Sequence, residues 1–380
     1  MRTREADLQR RRASPRGERL ELKETTGSIS RQEGSTPILG AEWFTATAPG
    51  AALVFTFPAG FLWGSATSGH QVEGNNVNSD VWLAEHVTPT LYKEPSGDAC
   101  NHYHLYRDDI ALMAQLGLNC YRFSLEWSRI EPEPGQFSIA ELDHYRRVLA
   151  ACHEHGIKTW VTFNHLTTPR WFAARGGWEN TESPAAFARY CGRAAAHLGD
   201  LIDLGATFNE PCLGGMFMWL GLAPVMGAGM QAMFRACAKA CGSERFSMLM
   251  SLEEEKLVPQ LLAAHREGAA AMRTGRAHFP VGFTLNVADD QPVGTDALVR
   301  QKRAEHYGPW LALAKSPDCD YIGVQNYGRL RYDANGRVPP DKDAPDGDSF
   351  SPESVGTAVR YVARETGKPV YISENGLQTD

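Results

Sequence analysis

A parallel (β/α)₈ barrel of the TIM type is the fold that this 380-residue sequence predicts. Three observations predict it. Short apolar or β-rich runs alternate with amphipathic helical runs, which implies parallel strands joined by right-handed crossovers. No glycine-rich phosphate loop follows the first strand, as a doubly wound nucleotide-binding sheet would require. Polar and charged residues gather just after the strands, where a barrel keeps its working face.

The elements follow in chain order. Seven runs read as strands: Gly60–Ala66, Asn119–Leu125, Lys158–Phe163, Leu204–Phe208, Pro280–Leu285, Tyr321–Gln325 and Pro369–Ser373. Helical patterns lie between several of them, at Asp108–Leu116, Ile139–His155, Pro184–Leu201 and Glu254–Arg273. In the first of these, Ile110, Met113, Ala114 and Leu116 recur at helical spacing, with Gly117 as a C-terminal stop. Ser138 with Glu141 three residues on forms a capping-box pattern at the start of the second. The methionine-rich stretch from Cys212 to His278 (Met216, Met218, Met226, Met230, Met233, Met248) reads as helix core rather than as an adaptable binding surface.

Composition narrows the function. The chain is 43% hydrophobic, which suits a sizeable core, and its net charge of −7 argues against a nucleic-acid partner. No run approaches the ~18 uninterrupted apolar residues of a membrane span. The eight cysteines form no CxxC, and Cys237 and Cys241 have no further ligand type nearby. No metal site is therefore expected, and reduced thiols suit a cytoplasmic protein. Residues 1–36 interleave Lys and Arg with Asp and Glu among small polar residues, with no apolar segment of a secretory signal behind them. Residues 1–52 are expected to be a poorly ordered extension and 53–380 the barrel domain.

The strand ends carry the chemistry. His70, Gln71 and Glu73 follow the first strand; Arg122, Glu126 and Arg129 lie along and after the second. Asn164 and His165 close the third, Asn209 and Glu210 the fourth, Gln325, Asn326 and Tyr327 the sixth, and Glu374 and Asn375 the seventh. Any one alone could be a structural hydrogen-bonder, but together they describe a polar cup. Within it, Glu210 and Glu374 each stand directly after an apolar strand. Cleaving a glycosidic bond requires one carboxylic acid to protonate the leaving oxygen and one carboxylate to attack the anomeric carbon, about 5–5.5 Å apart when configuration is retained. The competing reading is an ion pair with Arg122 or Arg129 in the barrel mouth.

Four motifs in order carry a resemblance. Phe57 to Gly74 (FPAGFLWGSATSGHQVEG), Tyr121 to Ile130 (YRFSLEWSRI) with Pro132 and Gly135, Asn209-Glu210-Pro211 and Glu374-Asn375-Gly376 are similar to the signatures of glycoside hydrolase family 1, the β-glucosidase and β-galactosidase family. The resemblance covers residues 55–380. It implies a retaining β-glycosidase that needs no cofactor and no metal and works through a covalent glycosyl-enzyme intermediate. By the same resemblance Glu210 is the general acid/base and Glu374 the nucleophile. Gln71, His165 and Asn209 bind sugar hydroxyls, Tyr327 hydrogen-bonds the nucleophile, and Arg122, Gln325 and Asn326 support the site. Arg122 is the cation expected to hold Glu374 ionised, and the Glu374 charge should raise the pKa of Glu210. The segment after the fourth strand walls the aglycone side of the cleft in the family.

Three departures stand out. Gln325 and Asn326 occupy positions where the family more often has Asn and Tyr, a change expected to affect aglycone contacts more than chemistry. Leu166 replaces an aromatic after His165. The chain stops at Asp380, so the eighth-strand region is expected to be missing, leaving two strand edges open and room for a homo-oligomer. The expected function is hydrolysis of O-linked β-glucosides or β-galactosides, small glycosides or oligosaccharides, in carbohydrate metabolism. The alternatives are a catalytically impaired sugar-binding remnant and a 6-phospho-β-glycosidase.

Overall fold

The computed structural model describes residues 57–274, 278–339 and 351–376. The expected extension 1–52, the domain start at 53 and the terminal residues 377–380 lie outside the described residues. Ten strands occur in chain order: β1 (Gly64–Ala66), β2 (Cys120–Ser124), β3 (Lys158–Asn164), β4 (Leu204–Asn209), β5 (Val281–Asn286), β6 (Asp289–Pro292), β7 (Tyr321–Asn326), β8 (Arg329–Asp333), β9 (Gly336–Arg337) and β10 (Val370–Asn375). Seven of them form one parallel sheet, β1-β2-β3-β4-β5-β7-β10, which curls into a nearly closed TIM-type barrel with helices around it. Each falls on a run predicted from sequence. The first is the shortest, at 3 residues.

The remaining strands, β6, β8 and β9, make a small separate sheet that no hydrophobic alternation announces. Charge pairing anchors it instead: Lys302 Nζ donates to Asp290 Oδ1 at 2.5 Å and Arg329 Nε to Asp289 Oδ2 at 2.7 Å. The helices confirm the periodicity reading, at His102–Gln115, Ile139–Glu154, Ser183–Leu198 and Glu254–Arg273. Gly117 follows the first of these in the left-handed region (φ +79°), a conformation that glycine adopts without a Cβ penalty. Half of the capping box forms. Ser138 Oγ accepts from the Glu141 N–H at 3.3 Å, but the Glu141 carboxylate accepts from Tyr103 instead, and the Ser138 N–H donates to Ile130 O.

Alternation along each barrel strand sorts residues into two sets. Phe123, Val161, Phe163, Phe208, Val281, Phe283, Leu285, Ile322 and Val324 pack outward into the helix layer. Inward, Cys120, Trp160, Leu204, Ala206 and Tyr321 close the barrel floor, with Tyr371 against them. There Trp160, Tyr321 and Tyr371 meet edge-to-face at 5.2–5.5 Å between ring centroids, and Tyr321 Oη donates to Gly205 O at 2.8 Å. Just above, a Cβ on Gly323 would stand 2.5 Å from Thr284 Cγ2 and 2.8 Å from Ser373 Oγ, so only glycine lets the strands close up at this level. The methionines at 230, 233 and 248 are buried, as the core reading expects, whereas Met218 is exposed. No described helix is long and apolar enough to cross a membrane.

A buried polar brace ties the loops after β1 and β2 together. Glu126 accepts from the His70 N–H at 3.0 Å, Asn76 Nδ2 at 2.6 Å and Thr167 Oγ1 at 2.7 Å. Glu73 accepts from Arg129 Nε at 2.9 Å and Tyr145 Oη at 3.0 Å. Asp80, fully buried nearby, accepts from the Thr168 N–H and Oγ1. Burial, then the charge of Glu73, pushes Glu126 up to about 7; burial pushes Asp80 to about 7. Both groups bind protons more tightly folded than unfolded, where carboxyls titrate near 4. The stability they contribute is complete below about pH 4 and is lost as pH rises through 7. The thermal midpoint should therefore fall between pH 5.5 and pH 8 by roughly 2 °C or more, with a shallower slope in Glu126→Gln, as calorimetry at matched ionic strength would read. A midpoint that rises over this window would contradict the assignment.

Candidate active site

The inward residues at the top of the strands meet in a closed ring. Arg122 on β2, fully inside the barrel, donates from Nη1 to Glu374 Oε1 and from Nη2 to Asn209 Oδ1, each at 2.6 Å. Gln325 on β7 donates from Nε2 to the same two oxygens, again at 2.6 Å each. Two donors thus face two acceptors around one circuit, Arg122–Glu374–Gln325–Asn209. Thr284 on β5 reinforces it, placing its hydroxyl 3.3 Å from both Arg122 Nη2 and Asn209 Oδ1. The Arg122 guanidinium lies 5.7 Å over the Trp160 ring of the barrel floor, so the aromatic layer also supports the cation.

The ring orients what it holds. Guanidinium can only donate, so the Asn209 amide must turn its oxygen toward Arg122. Its NH₂ is left with no hydrogen bond to a described residue, facing the other way. Glu374 receives a third donor, the Tyr327 hydroxyl, on Oε2. The ion pair read from sequence as the competing explanation is present, between Arg122 and Glu374, whereas Arg129 pairs with Glu73.

Glu210 stands beside the ring on a distorted strand end. The β4–β5 register shifts between Ala206 and Asn209, and Glu210 takes a left-handed φ of +44°, a strained position for a non-glycine residue. Its N–H donates to Thr284 O at 2.9 Å, and its Oε1 accepts from Asn286 Nδ2 at 2.9 Å. Burial, and then the charge of Glu374, raises its pKa to about 7, while Asn286 and Arg122 oppose the shift. His165, buried and held neutral by burial and by Arg122, leaves Nδ1 with no hydrogen-bond partner among the described residues. Leu166 after it is also left-handed, at φ +70°, and packs against the core. Gln71 is exposed on the short helix after β1.

Gln325 and Asn326, two of the expected supporting residues, take different places. Gln325 was expected to affect aglycone contacts more than chemistry, yet its amide binds both Glu374 and Asn209, because the strand directs it into the barrel. Asn326 lies outside the ring: its Nδ2 donates to Val287 O and Gly328 O, and its Oδ1 accepts from Ser354 Oγ, so it fastens the strand end instead. Sequence reading passed over Thr284 and Asn286. Outward Val281, Phe283 and Leu285 on the fifth strand would have pointed to them as inward residues. Among the described residues no group of three or more His, Cys, Asp or Glu is placed to hold a metal ion. Met218, Trp219, Leu298, Tyr332 and Arg337 line a cavity of about 580 Å³ that none of the ring residues borders. Cutting the ring at Gln325 tests its weight. Gln325→Ala should lower kcat/KM about 10–100-fold, the worth of charge-assisted hydrogen bonds, and Gln325→Asn should recover part of it; steady-state kinetics with intact melting curves would read this.

Comparison with known proteins places the arrangement. The sequence profile described as Glycosyl hydrolase family 1 matches residues 54–307. Thermostable β-glucosidase B of Thermobispora bispora is 35% identical across 93% of this chain and 80% of the relative. β-Glucosidase A of Acetivibrio thermocellus is 36% identical over 163 residues, 41% of this chain, and this match spans only 36% of the relative's length. Among solved structures, an apo β-glucosidase designated 1317 superposes with a TM-score of 0.80 and 42% identity, over 84% of this chain and 80% of that one. Profile, relatives and barrel agree: the chain belongs to glycosyl hydrolase family 1.

Proposed function

We propose that this chain is a retaining β-glycosidase of the β-glucosidase type, hydrolysing O-linked β-glucosides or β-galactosides of small glycosides or oligosaccharides through a covalent glycosyl-enzyme intermediate. One observation carries the reading: a carboxyl pushed to about 7, Glu210, stands beside a second carboxylate, Glu374, on which three donors converge. Two carboxyl groups in such different surroundings take different tasks. Glu374 is the nucleophile. Glu210 protonates the leaving oxygen as the Glu374 oxygen bonds the anomeric carbon, then accepts a proton from the water that releases the sugar. When Glu374 becomes an ester its charge disappears, the Glu210 pKa falls, and the acid of the first step becomes the base of the second.

The sugar-facing groups follow from the same geometry. The free NH₂ of Asn209 donates to a ring hydroxyl, His165 Nδ1 offers an unpaired buried contact, and Gln71 reaches the sugar from the β1 side. Tyr327 fixes the lateral position of the Glu374 carboxyl. Eight free thiols, most of them buried, support a reducing compartment, and we place the protein in the cytoplasm. The relatives are β-glucosidases by name, which favours neither a sugar-binding remnant nor a 6-phospho-β-glycosidase.

Glu374→Gln should lower turnover of an aryl β-D-glucoside by about 10⁴-fold or more. NMR of the parent reaction should show the β-anomer as the first-formed sugar, and an α-anomer would end the retaining assignment. The kcat/KM profile should decline as pH rises through about 7, where Glu210 loses its proton, and the Glu210→Gln variant should lack that limb.

A further inference from the structure

We propose that Asn286 is the positioning residue that selects which oxygen of Glu210 acts on the substrate. The inference rests on the reading of Glu210 as the acid/base and deepens it. β5 holds Glu210 twice: Thr284 O accepts the Glu210 N–H, and Asn286 Nδ2 donates to Oε1, each at 2.9 Å. Both contacts come from inward positions two residues apart on one rigid strand, so they fix the strained Glu210 backbone and its carboxyl as a unit. Oε2 makes no hydrogen bond to a described residue.

An amide N–H on Oε1 has a chemical consequence. Of the two oxygens of a protonated carboxyl the carbonyl oxygen is much the better acceptor, so the Asn286 N–H on Oε1 favours the proton on Oε2. In the first step the Oε2 proton passes to the leaving oxygen while the glycosidic bond breaks and the Glu374 oxygen bonds the anomeric carbon. In the second, water attacks that carbon, its proton passes to the same Oε2, and the bond to Glu374 breaks with its electron pair returning to the carboxylate. Asn286 stays on Oε1 throughout, and one oxygen serves both steps without rotation of the carboxyl. The donor also favours the anion. It tempers the upward push of burial, which persists after the charge of Glu374 is gone and would otherwise keep Glu210 protonated when it must act as base.

The test uses the full chain, aryl β-D-glucosides with good and poor leaving groups, and pH profiles of kcat/KM. Asn286→Ala should move the limb assigned to Glu210 upward by about half to one pH unit, leave the acidic limb in place, and lower kcat about 10-fold where water attack limits turnover. Asn286→Asp, nearly isosteric and therefore safer for folding, should move the same limb further, because it removes the donor and adds a charge. Activity lost with both limbs unmoved in the two variants would mean a merely structural asparagine and overturn the proposal. Glu210→Gln separates the premises. If that variant keeps the limb, the reading of Glu210 falls and this inference with it. If it loses the limb while the Asn286 variants keep theirs, only this inference falls.

Discussion

A buried guanidinium in the mouth of a parallel barrel governs everything around it. Arg122 is almost fully enclosed, and such a charge is tolerated only when it is balanced and hydrogen-bonded; both terminal nitrogens are engaged, whereas Nε has no partner among the described residues. Glu374 supplies the balance, Asn209 takes a second hydrogen, and Thr284 stands by both. Each acceptor is then committed: Glu374 to one edge of the ring, and Asn209 to presenting its NH₂ away from the cation. The catalytic geometry proposed here follows from satisfying Arg122. Removing it would leave a carboxylate facing a polar cavity without its counter-charge, a change that costs about 3–5 kcal/mol in comparable buried pairs.

The two glutamates differ in burial first, then in neighbouring charge and in donors. Three donors reach Glu374, whereas Glu210 has one side-chain donor and a carboxylate neighbour. The proposed division of labour thus follows from the strand register. The shift between β4 and β5 that turns Glu210 into the left-handed region also separates it from the ring that Asn209, its neighbour in sequence, belongs to.

The barrel and its rim were legible in the sequence for a specific reason. Apolar runs ending in Asn-Glu or Glu-Asn place polar groups where a parallel barrel gathers them, and period-2 alternation needs no tertiary knowledge. Glu210, Glu374, Asn209, Arg122 and Tyr327 were all found this way or through the resemblance that the motifs carry. What escaped depended on pairing rather than pattern. Asn286 is a single amide between Leu285 and Val287, with nothing around it to mark it as polar by design. The small sheet β6-β8-β9 is held by ion pairs between residues up to 40 positions apart, as at Asp289 and Arg329. The Gln325 side chain looked like a conservative swap until the ring gave its amide two partners at once.

The ring also sets an order of events in time. Arg122 and Glu374 are 252 residues apart in sequence, and closing so large a loop is slow compared with forming the hairpin-like neighbours of an all-local fold. As the polypeptide leaves the ribosome, β2 is made long before the strand that carries its counter-charge. Through that interval the guanidinium must stay hydrated, which means the barrel mouth must stay open to water. Burial of the guanidinium is therefore coupled to the arrival of β10, the strand that carries its counter-charge.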